Sequence, residues 1–580
     1  MKKTRGATWA LTAVLTVHAA AADWFTDRAA GSGLDFFYYN GMSGEYYFVE
    51  NLGGGVALFD YDNDGDLDVY FTQGHLLGKG KSWKDALFPP PAGYPMTDRL
   101  FRNDLQVKAD GTRILHFTDV TRQAGIDARG YGMGVAAGDI DNDGDTDLFV
   151  TNWGRNQLWR NEGDGTFKDV TAPAGVDAPG WGVSAAFADY DRDGDLDLYV
   201  ANYVHFDTEK NKRCYGLNGA PDYCAPQQYK PMRDRLYRNR GDGTFEDVSE
   251  ASGIAKQAKP GLGVIAADFN GDGWIDFYVA NDGETNNLWI NQRDGTFKDE
   301  AFLAGVAVNM EGAAEASMGV DAGDFDNDGD EDLFMTHLLG ETNTLYVNDG
   351  QGWFEDRTLA IGLGAPSKGY TAFGTAWFDY DNDGWLDLIV ANGDVRVMPI
   401  LARQGDKYPL RQPNQLFHNV TGKRFEDVTK RAGKVFERSE VSRGVAVGDI
   451  DNDGDLDVVL VNSNGPARLL INELGNRAGW IGLRLLDRHG RDAYGARIRV
   501  DLDRGPTLWR RVHSDGSYAS AHSPRLLIGL GAAKPKILTV TWPDGKQERW
   551  LNPTPGRWHT LHRGDGQPVA PASKQASSRS

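Results

Sequence analysis

Asp139-Ile140-Asp141-Asn142-Asp143-Gly144-Asp145-Thr146-Asp147 is an acidic nine-residue loop set between two apolar runs, Gly134-Val135-Ala136-Ala137 before it and Leu148-Phe149-Val150 after it. Short apolar runs bounded by turn residues read as buried strands. Further on come an aromatic segment ending in Asn (Leu158-Trp159-Arg160-Asn161), a Gly163-Asp164-Gly165-Thr166 turn and Phe167-Lys168-Asp169-Val170-Thr171. Glycine in such a turn supplies the positive φ that a tight hairpin needs. One unit is therefore four short strands joined by hairpins.

The unit recurs. D-x-D-x-D-G-D-x-D stands at Asp60–Asp68, Asp139–Asp147, Asp189–Asp197, Asp324–Asp332 and Asp449–Asp457. Two variants, Asp268–Asp276 and Asp379–Asp387, carry Trp at the seventh place, and the first of them also has Asn270 at the third. Four-stranded repeats of this length mark a β-propeller. Seven loops accompany only six complete units, because nothing resembling a fourth strand follows Leu469–Asn472. The missing piece stands at the other end: Phe25-Thr26-Asp27 and Ala30-Gly31 match Phe167-Lys168-Asp169 and Ala174-Gly175. The fold expected is all-β: a seven-bladed β-propeller over 23–472 closed by its N-terminal strand, then a small β-sandwich or barrel-like domain over 476–563.

Loop spacings of 79, 50, 79, 56, 55 and 70 residues place insertions at Gln73–Asp98, Tyr203–Asp234 and Gly393–Pro413. All three lie between the second and third strands of a unit, so they share the face opposite the Asp loops. Trp83, Tyr94, Tyr215, Tyr223, Tyr229 and Tyr408 are the ligand-face candidates there; aromatics on ordered loops suit contacts to carbohydrate or protein, and packing within the insertions is the alternative.

Five carboxylates within nine residues repel unless a hard cation compensates them. Positions one, three, five and nine offer side-chain oxygens, the seventh its carbonyl, and glycine at six permits the sharp turn. Six or seven oxygens suit Ca²⁺ better than Mg²⁺. The candidate metal residues of the first three loops are Asp60, Asp62, Asp64, Asp66 and Asp68; Asp139, Asp141, Asp143, Asp145 and Asp147; and Asp189, Asp191, Asp193, Asp195 and Asp197. The fourth and fifth offer Asp268, Asn270, Asp272, Trp274 and Asp276, then Asp324, Asp326, Asp328, Asp330 and Asp332. The last two offer Asp379, Asp381, Asp383, Trp385 and Asp387, then Asp449, Asp451, Asp453, Asp455 and Asp457. Up to seven Ca²⁺ are expected, the weakest at Asp268. An EF-hand requires Glu at position twelve; here that position is apolar, from Phe71 to Leu460. Asp164, Asp242 and Asp294 read as hairpin residues rather than ligands.

The chain is 580 residues with a formal charge of −22. The seven loops hold 33 acidic residues and one Arg, a net of −32, so the remainder carries +10. Acidity gathered in loops argues against a nucleic-acid partner. No run reaches the ~18 apolar residues of a membrane span. Lys2, Lys3 and Arg5, the apolar run Ala7–Val17 and Ala20-Ala21-Ala22 read as a signal peptide over 1–22, hence secreted, periplasmic or cell-surface; an uncleaved helix is the alternative. Export allows Cys214 and Cys224, in a Pro/Gly-rich loop, to pair.

Asp-loop repeats in a ring of seven resemble the FG-GAP (VCBS) repeats of the integrin α-chain propeller. The C-terminal segment resembles the ASPIC/UnbV domain through Trp480-Ile481-Gly482-Leu483-Arg484-Leu485, Gly495-Ala496-Arg497-Ile498, Gly516-Ser517-Tyr518, Leu527-Ile528-Gly529-Leu530-Gly531 and Val540-Thr541-Trp542-Pro543-Asp544-Gly545. The combination is similar to the cartilage acidic protein family and its bacterial relatives. The resemblance implies an extracellular or periplasmic calcium-binding protein acting in adhesion or interaction, and no catalytic residue.

From Asn476 onward Lys and Arg outnumber Asp and Glu by 18 to 8. This basic region reads as a solvated face or one docked against the acidic propeller, while its five histidines leave an anion or metal reading open. The Pro/Ala/Ser-rich tail, 564–580, reads as disordered. No catalytic motif stands out. The function expected is a protein- or carbohydrate-binding module. Its alternatives are a polysaccharide lyase or sugar dehydratase with a His or Tyr beside a carboxylate and a basic residue in a deep insertion-face pocket, and a surface assembly scaffold.

Overall fold

In the computed structural model, residues 22–216 and 219–569 are described. The segment expected to be a signal peptide, apart from residue 22, and residues 570–580 of the expected tail lie outside them.

Seven four-stranded antiparallel units follow one another along the chain: five are separate sheets, and the second and third are joined into one eight-stranded sheet where Trp153–Arg155 pairs with Pro179–Trp181. Each runs outward in sequence order. The second blade, for example, is Tyr131–Gly138, Asp147–Arg155, Gln157–Asn161 and Phe167–Asp169. The last blade has Ser442–Gly448, Asp457–Asn462 and Arg468–Asn472, and its outer strand is Phe25–Asp27, with Phe25 opposite Asn472. The innermost strands, beginning with Val56–Phe59, contact one another in a cycle, and Gly444 N–H donates to Gly54 O where the cycle closes. A strand from one terminus thus completes the sheet made by the other, as the offset repeats require.

Asparagine at the end of each third strand explains the regularity. Its backbone N–H donates to one oxygen of the position-nine Asp in its own blade, from Asn103 on Asp68 (2.8 Å) to Asn472 on Asp457 (2.8 Å). Its Nδ2 donates to the carbonyl of loop position two in the preceding blade, as Asn161 does to Tyr61 O (2.8 Å) and Asn103 to Ile450 O (2.9 Å). All seven blades repeat this staple.

The C-terminal chain forms a three-stranded and a five-stranded sheet packed on Ile481, Leu483, Ile498, Val500, Leu538, Val540 and Trp542, in a core continuous with blades two and three. Gln567–Pro568 pairs with Glu548–Arg549, so ordered strand extends past Arg563 into the segment expected to be disordered. Between the two sheets, Ser514–Ser523 enters the centre of the ring and is buried throughout. It touches every innermost strand. Backbone bonds join Leu58 and Ala521 (3.0 Å), Val135 and Ala519 (3.2 Å), Val320 and Ser517 (2.9 Å), and Val447 and Ser523 (3.1 Å). Ser184 Oγ accepts from Ala519 N, Asp515 accepts from Ala266 N, and the Tyr518 ring stands edge-on to Phe373 at 4.9 Å. Gly55 and Gly134 leave no room for a Cβ against Ala519, which is why glycine stands at these two places beside the segment.

The opposite mouth is closed by the insertions. Met42, Tyr223, Tyr408, Leu410 and Val441 form one apolar cluster there, flanked by Phe88, and Tyr518 Oη donates to Leu52 O beneath it (2.7 Å). Cys214 and Cys224 form a disulfide within the second insertion.

Candidate metal loops and the faces of the ring

Each Asp loop turns on two positive-φ residues. Glycine at position six has φ between 87° (Gly273) and 105° (Gly329), and position four has φ of 55–64° where it is Asn or Arg and 69° at Gly271. That geometry folds positions one, three and nine together: in the loops of Asp60, Asp139, Asp189 and Asp324, ligand atoms of these three residues lie within 4.8 Å of one another. In the sixth loop Asp381 and Asp387 gather with His418, whose Nδ1 is 3.2 Å from Asp387 Oδ1.

The residues fit a hard cation. Buried side-chain oxygens lacking a donor include Asp60 Oδ1, Asp62 Oδ1, Asp141 Oδ1, Asp189 Oδ1, Asp326 Oδ1, Asp330 Oδ1, Asp332 Oδ2, Asp381 Oδ1, Asp451 Oδ1 and Asp455 Oδ1. Among the described residues the one other buried carboxylate oxygen without a partner is Glu50 Oε1. An orphaned buried carboxylate oxygen is costly unless a cation meets it. The fourth loop contributes none, and Arg293 donates to its Asp272 at 2.8 Å. Burial, then the neighbouring carboxylates, raise Asp189 and Asp451 to about 7 and Asp326 to about 6, the direction expected where charge lacks a counter-ion. Position nine serves the backbone as well: Asp147 Oδ2 accepts from Ile140 N while Oδ1 accepts from Asn161 N.

Position four carries a role that the repeat alone did not announce. Asn63 donates to Asp145 of the next loop (2.6 Å), Asn142 to Asp195 (2.6 Å) and Asn452 to Asp66 (2.7 Å). Asn327 and Asn382 reach the glycine carbonyls of Gly384 and Gly454, and the Arg192 guanidinium lies over Trp274 at 4.5 Å. Only Gly271 has no side chain to pass on. Asp164, Asp242 and Asp294 each accept from a Thr two residues on, as hairpin residues should.

The basic C-terminal sheets dock on this loop face. Arg525, Arg491 and Arg510 donate to the position-six carbonyls Gly65 O (2.6 Å), Gly194 O (2.6 Å) and Gly384 O (3.2 Å), and Arg497 donates to Gly329 O. Arg525 also pairs with Asp60 Oδ2 at 2.5 Å. Trp480 packs on Gly454, and Trp558 Nε1 reaches Asp449. His522 Nδ1 accepts from Val447 N, a structural role.

On the insertion face the aromatic candidates divide. Tyr215 is exposed, and Trp83, Tyr94 and Tyr229 are half-buried. Tyr223 and Tyr408 are not surface residues: they are 6% and 1% exposed, bonded to Glu50 and Ser463. They lose their place as ligand contacts because the insertions fold inward onto the segment preceding the first blade. A tyrosine beside a carboxylate and a basic residue does occur: Tyr203 Oη donates to Asp282, whose carboxyl burial raises to about 6, with Arg396 nearby. Its cavity measures about 30 Å³. Asp282 also borders an open groove of about 380 Å³ with Gln227, Tyr229, Gln257, Lys259 and Glu284.

Residues 139–200, 217–279, 268–335 and 337–390 match the FG-GAP-like repeat, and 487–568 match ASPIC and UnbV. The chain is an FG-GAP-repeat protein with an ASPIC/UnbV domain. It is homologous to cartilage acidic protein 1, at 26% identity over 314 residues of the mouse protein (53% of this chain, 45% of that one) and 25% over 398 residues of the Xenopus tropicalis protein (59% and 60%). The chain spans less than half the length of the mouse and human relatives. A solved structure of YCF48 bound to D1 peptide aligns over 80% of this chain and 99% of that one, at 7% identity and a TM-score of 0.40, too distant to carry a functional inference. The ASPIC/UnbV domain is the one that supplies both the arginines on the FG-GAP loops and the segment in the ring's centre. No helix among the described residues is long and apolar enough to cross a membrane.

Proposed function

We propose that this chain is a secreted, periplasmic or cell-surface protein in which Ca²⁺ stiffens the FG-GAP loops and the insertion face binds an extracellular protein or glycan. The division expected is a ring over 23–472 and an ASPIC/UnbV unit over 476–563. Asp60 to Asp68 and their six counterparts would hold the ions, supplying charge compensation and loop rigidity and no chemistry at a substrate. Homology to an extracellular protein family supports the location. The observation that carries the binding reading is the shape of the insertion face. The grouping of Tyr203, Asp282 and Arg396 encloses about 30 Å³, one water's worth, while the open groove of about 380 Å³ beside it presents amides, an amine and carboxylates around Tyr229. Grooves of that size accept a sugar or peptide segment.

A second reading, a polysaccharide lyase or sugar dehydratase, draws on Asp282, raised to about 6 and bordering both spaces. A glycan and secreted-protein binding screen run in calcium and in EDTA separates the two. Capture that disappears with chelator and that Lys259→Ala and Gln257→Ala weaken supports the module. Turnover of any sugar polymer, abolished in Asp282→Asn, promotes the enzyme and sinks the first reading.

A further inference from the structure

We propose that the cleft between the third and fourth FG-GAP loops and the ASPIC/UnbV sheets binds an organic carboxylate of the sugar-acid class. The cleft holds about 350 Å³. Asp189, Arg192, Asp268 and Asp272 line its ring side, and Arg497, Trp509 and Arg511 its C-terminal side, with the Trp542–Gly545 turn closing one wall. That turn is part of the Val540–Gly545 motif, for which neither metal binding nor the insertion face has any use.

The case rests on donors without acceptors. Arg511 is 6% exposed, yet its Nε and Nη2 have no hydrogen-bond partner; Glu331 Oε1 stands 3.5 Å from Nε and Asp515 Oδ1 3.8 Å from Nη1. Arg192 Nε and Trp542 Nε1, in the same lining, are buried and unpaired too. The one other buried arginine nitrogen in that state among the described residues is Arg491 Nη1, on the side chain that grips Gly194 of the third loop. Buried N–H groups are normally satisfied, so a concentration of unsatisfied ones marks where an acceptor belongs. Nε and Nη2 form the side of the guanidinium fork that matches the two oxygens of a carboxylate.

Two further features set the class of ligand. The volume is roughly ten times that of a water molecule in liquid, and Ile275, Trp509 and Pro543 give the lining an apolar part, so the occupant has an organic body behind its charge. Four carboxylates (Asp189, Asp268, Asp272 and Glu331) and three arginines, Arg192 on the ring side with Arg497 and Arg511 opposite, line the cleft. Cations in the third and fourth loops would neutralise three of the four, leaving a surplus of arginine. The inference therefore rests on the calcium reading, and an anion should bind only to the loaded protein.

Calorimetric titration of the full chain tests this, with D-glucuronate and D-galacturonate as probes and glucose and inorganic sulfate as comparators. Runs are made in millimolar calcium and in EDTA. Elemental analysis of the same samples reports calcium loading on its own, so failure of the metal reading is seen separately. The expected result is uronate binding in calcium alone, weakened about tenfold or more by Arg192→Gln and by Arg497→Gln without loss of calcium content. Arg511→Lys, which keeps charge and removes the fork, should weaken it as well. Loaded protein that ignores both uronates overturns the proposal. So does binding indifferent to Arg192→Gln and Arg497→Gln, or sulfate binding as tight as the uronates.

Discussion

Asn161 shows how much one side chain does in this ring. Its backbone N–H holds Asp147 in its own blade, and its Nδ2 holds Tyr61 O in the blade before. Asn161→Ala keeps the first bond and leaves a buried carbonyl unpaired, at a cost of about 1–3 kcal/mol. Melting of the variant should fall by a few degrees, and Asn161→Asp, which cannot donate, should fall at least as far. A variant that melts with the parent would show the staple to be ornamental. Arg525 acts at the same scale in the opposite sense: its bonds to Gly65 O and Asp60 bring a cation from the C-terminal domain into the first loop. Neither role follows from the repeat pattern, which shows that an Asn and an Arg recur or stand alone but not whose carbonyl they face. Position four was equally silent, because its partner lies one blade away.

The FG-GAP loop is the element whose reading came through the sequence most fully, since its nine residues carry both the ligand pattern and the turn glycine locally. Tyr223 and Tyr408 show the limit: burial in an insertion depends on the N-terminal segment it folds against, which no local pattern records. Loops of one pattern still differ. The fourth has Asn270, no orphaned oxygen and Arg293 on Asp272, so calcium titration should resolve one site weaker than the rest, and Asn270→Asp should tighten it. Seven indistinguishable affinities would contradict that ranking. Protonation gives a second check on the loops as a class. Burial and crowding hold Asp189, Asp326 and Asp451 at about 6–7, above the ~3.9 of an unfolded aspartate. A group raised in this way supports the metal-free fold below pH ~4 and withdraws that support as pH climbs through its folded value. Protein stripped of metal should therefore melt lower at pH 8 than at pH 5. Calcium should reverse the trend, so that the gap between loaded and stripped protein widens with pH. A gap that narrows would mean that the loops are not where the metal acts.

At the scale of the molecule, two closures make one body: Phe25–Asp27 seals the ring at its rim, and Ser514–Ser523 fills it at its centre. The first was legible because a repeat was visibly short of a strand. The second was not, because a short run of Ser, Ala, Gly, Asp, His and a single Tyr between two strands carries no local sign of the seven inner strands that surround it. The central segment makes the C-terminal domain a hub rather than an appendage, and this has a measurable consequence. Tyr518 is fully buried among Phe373, Leu52, Trp181 and Tyr203, with its hydroxyl on Leu52 O, so Tyr518→Ala removes the contact that anchors the segment's tip, at about 3–5 kcal/mol. If the segment is a shared hub, the damage will not stay beside residue 518. The amides of Leu58, Val135, Val320 and Val447, which lie in four different blades and bond to the segment's backbone or to His522, should all lose hydrogen-exchange protection together, while outer strands such as Phe167–Asp169 keep theirs. Exchange that quickens only around Phe373 and Leu52 would mean that each blade stands without the segment, and that the ring is held by its neighbouring blades alone.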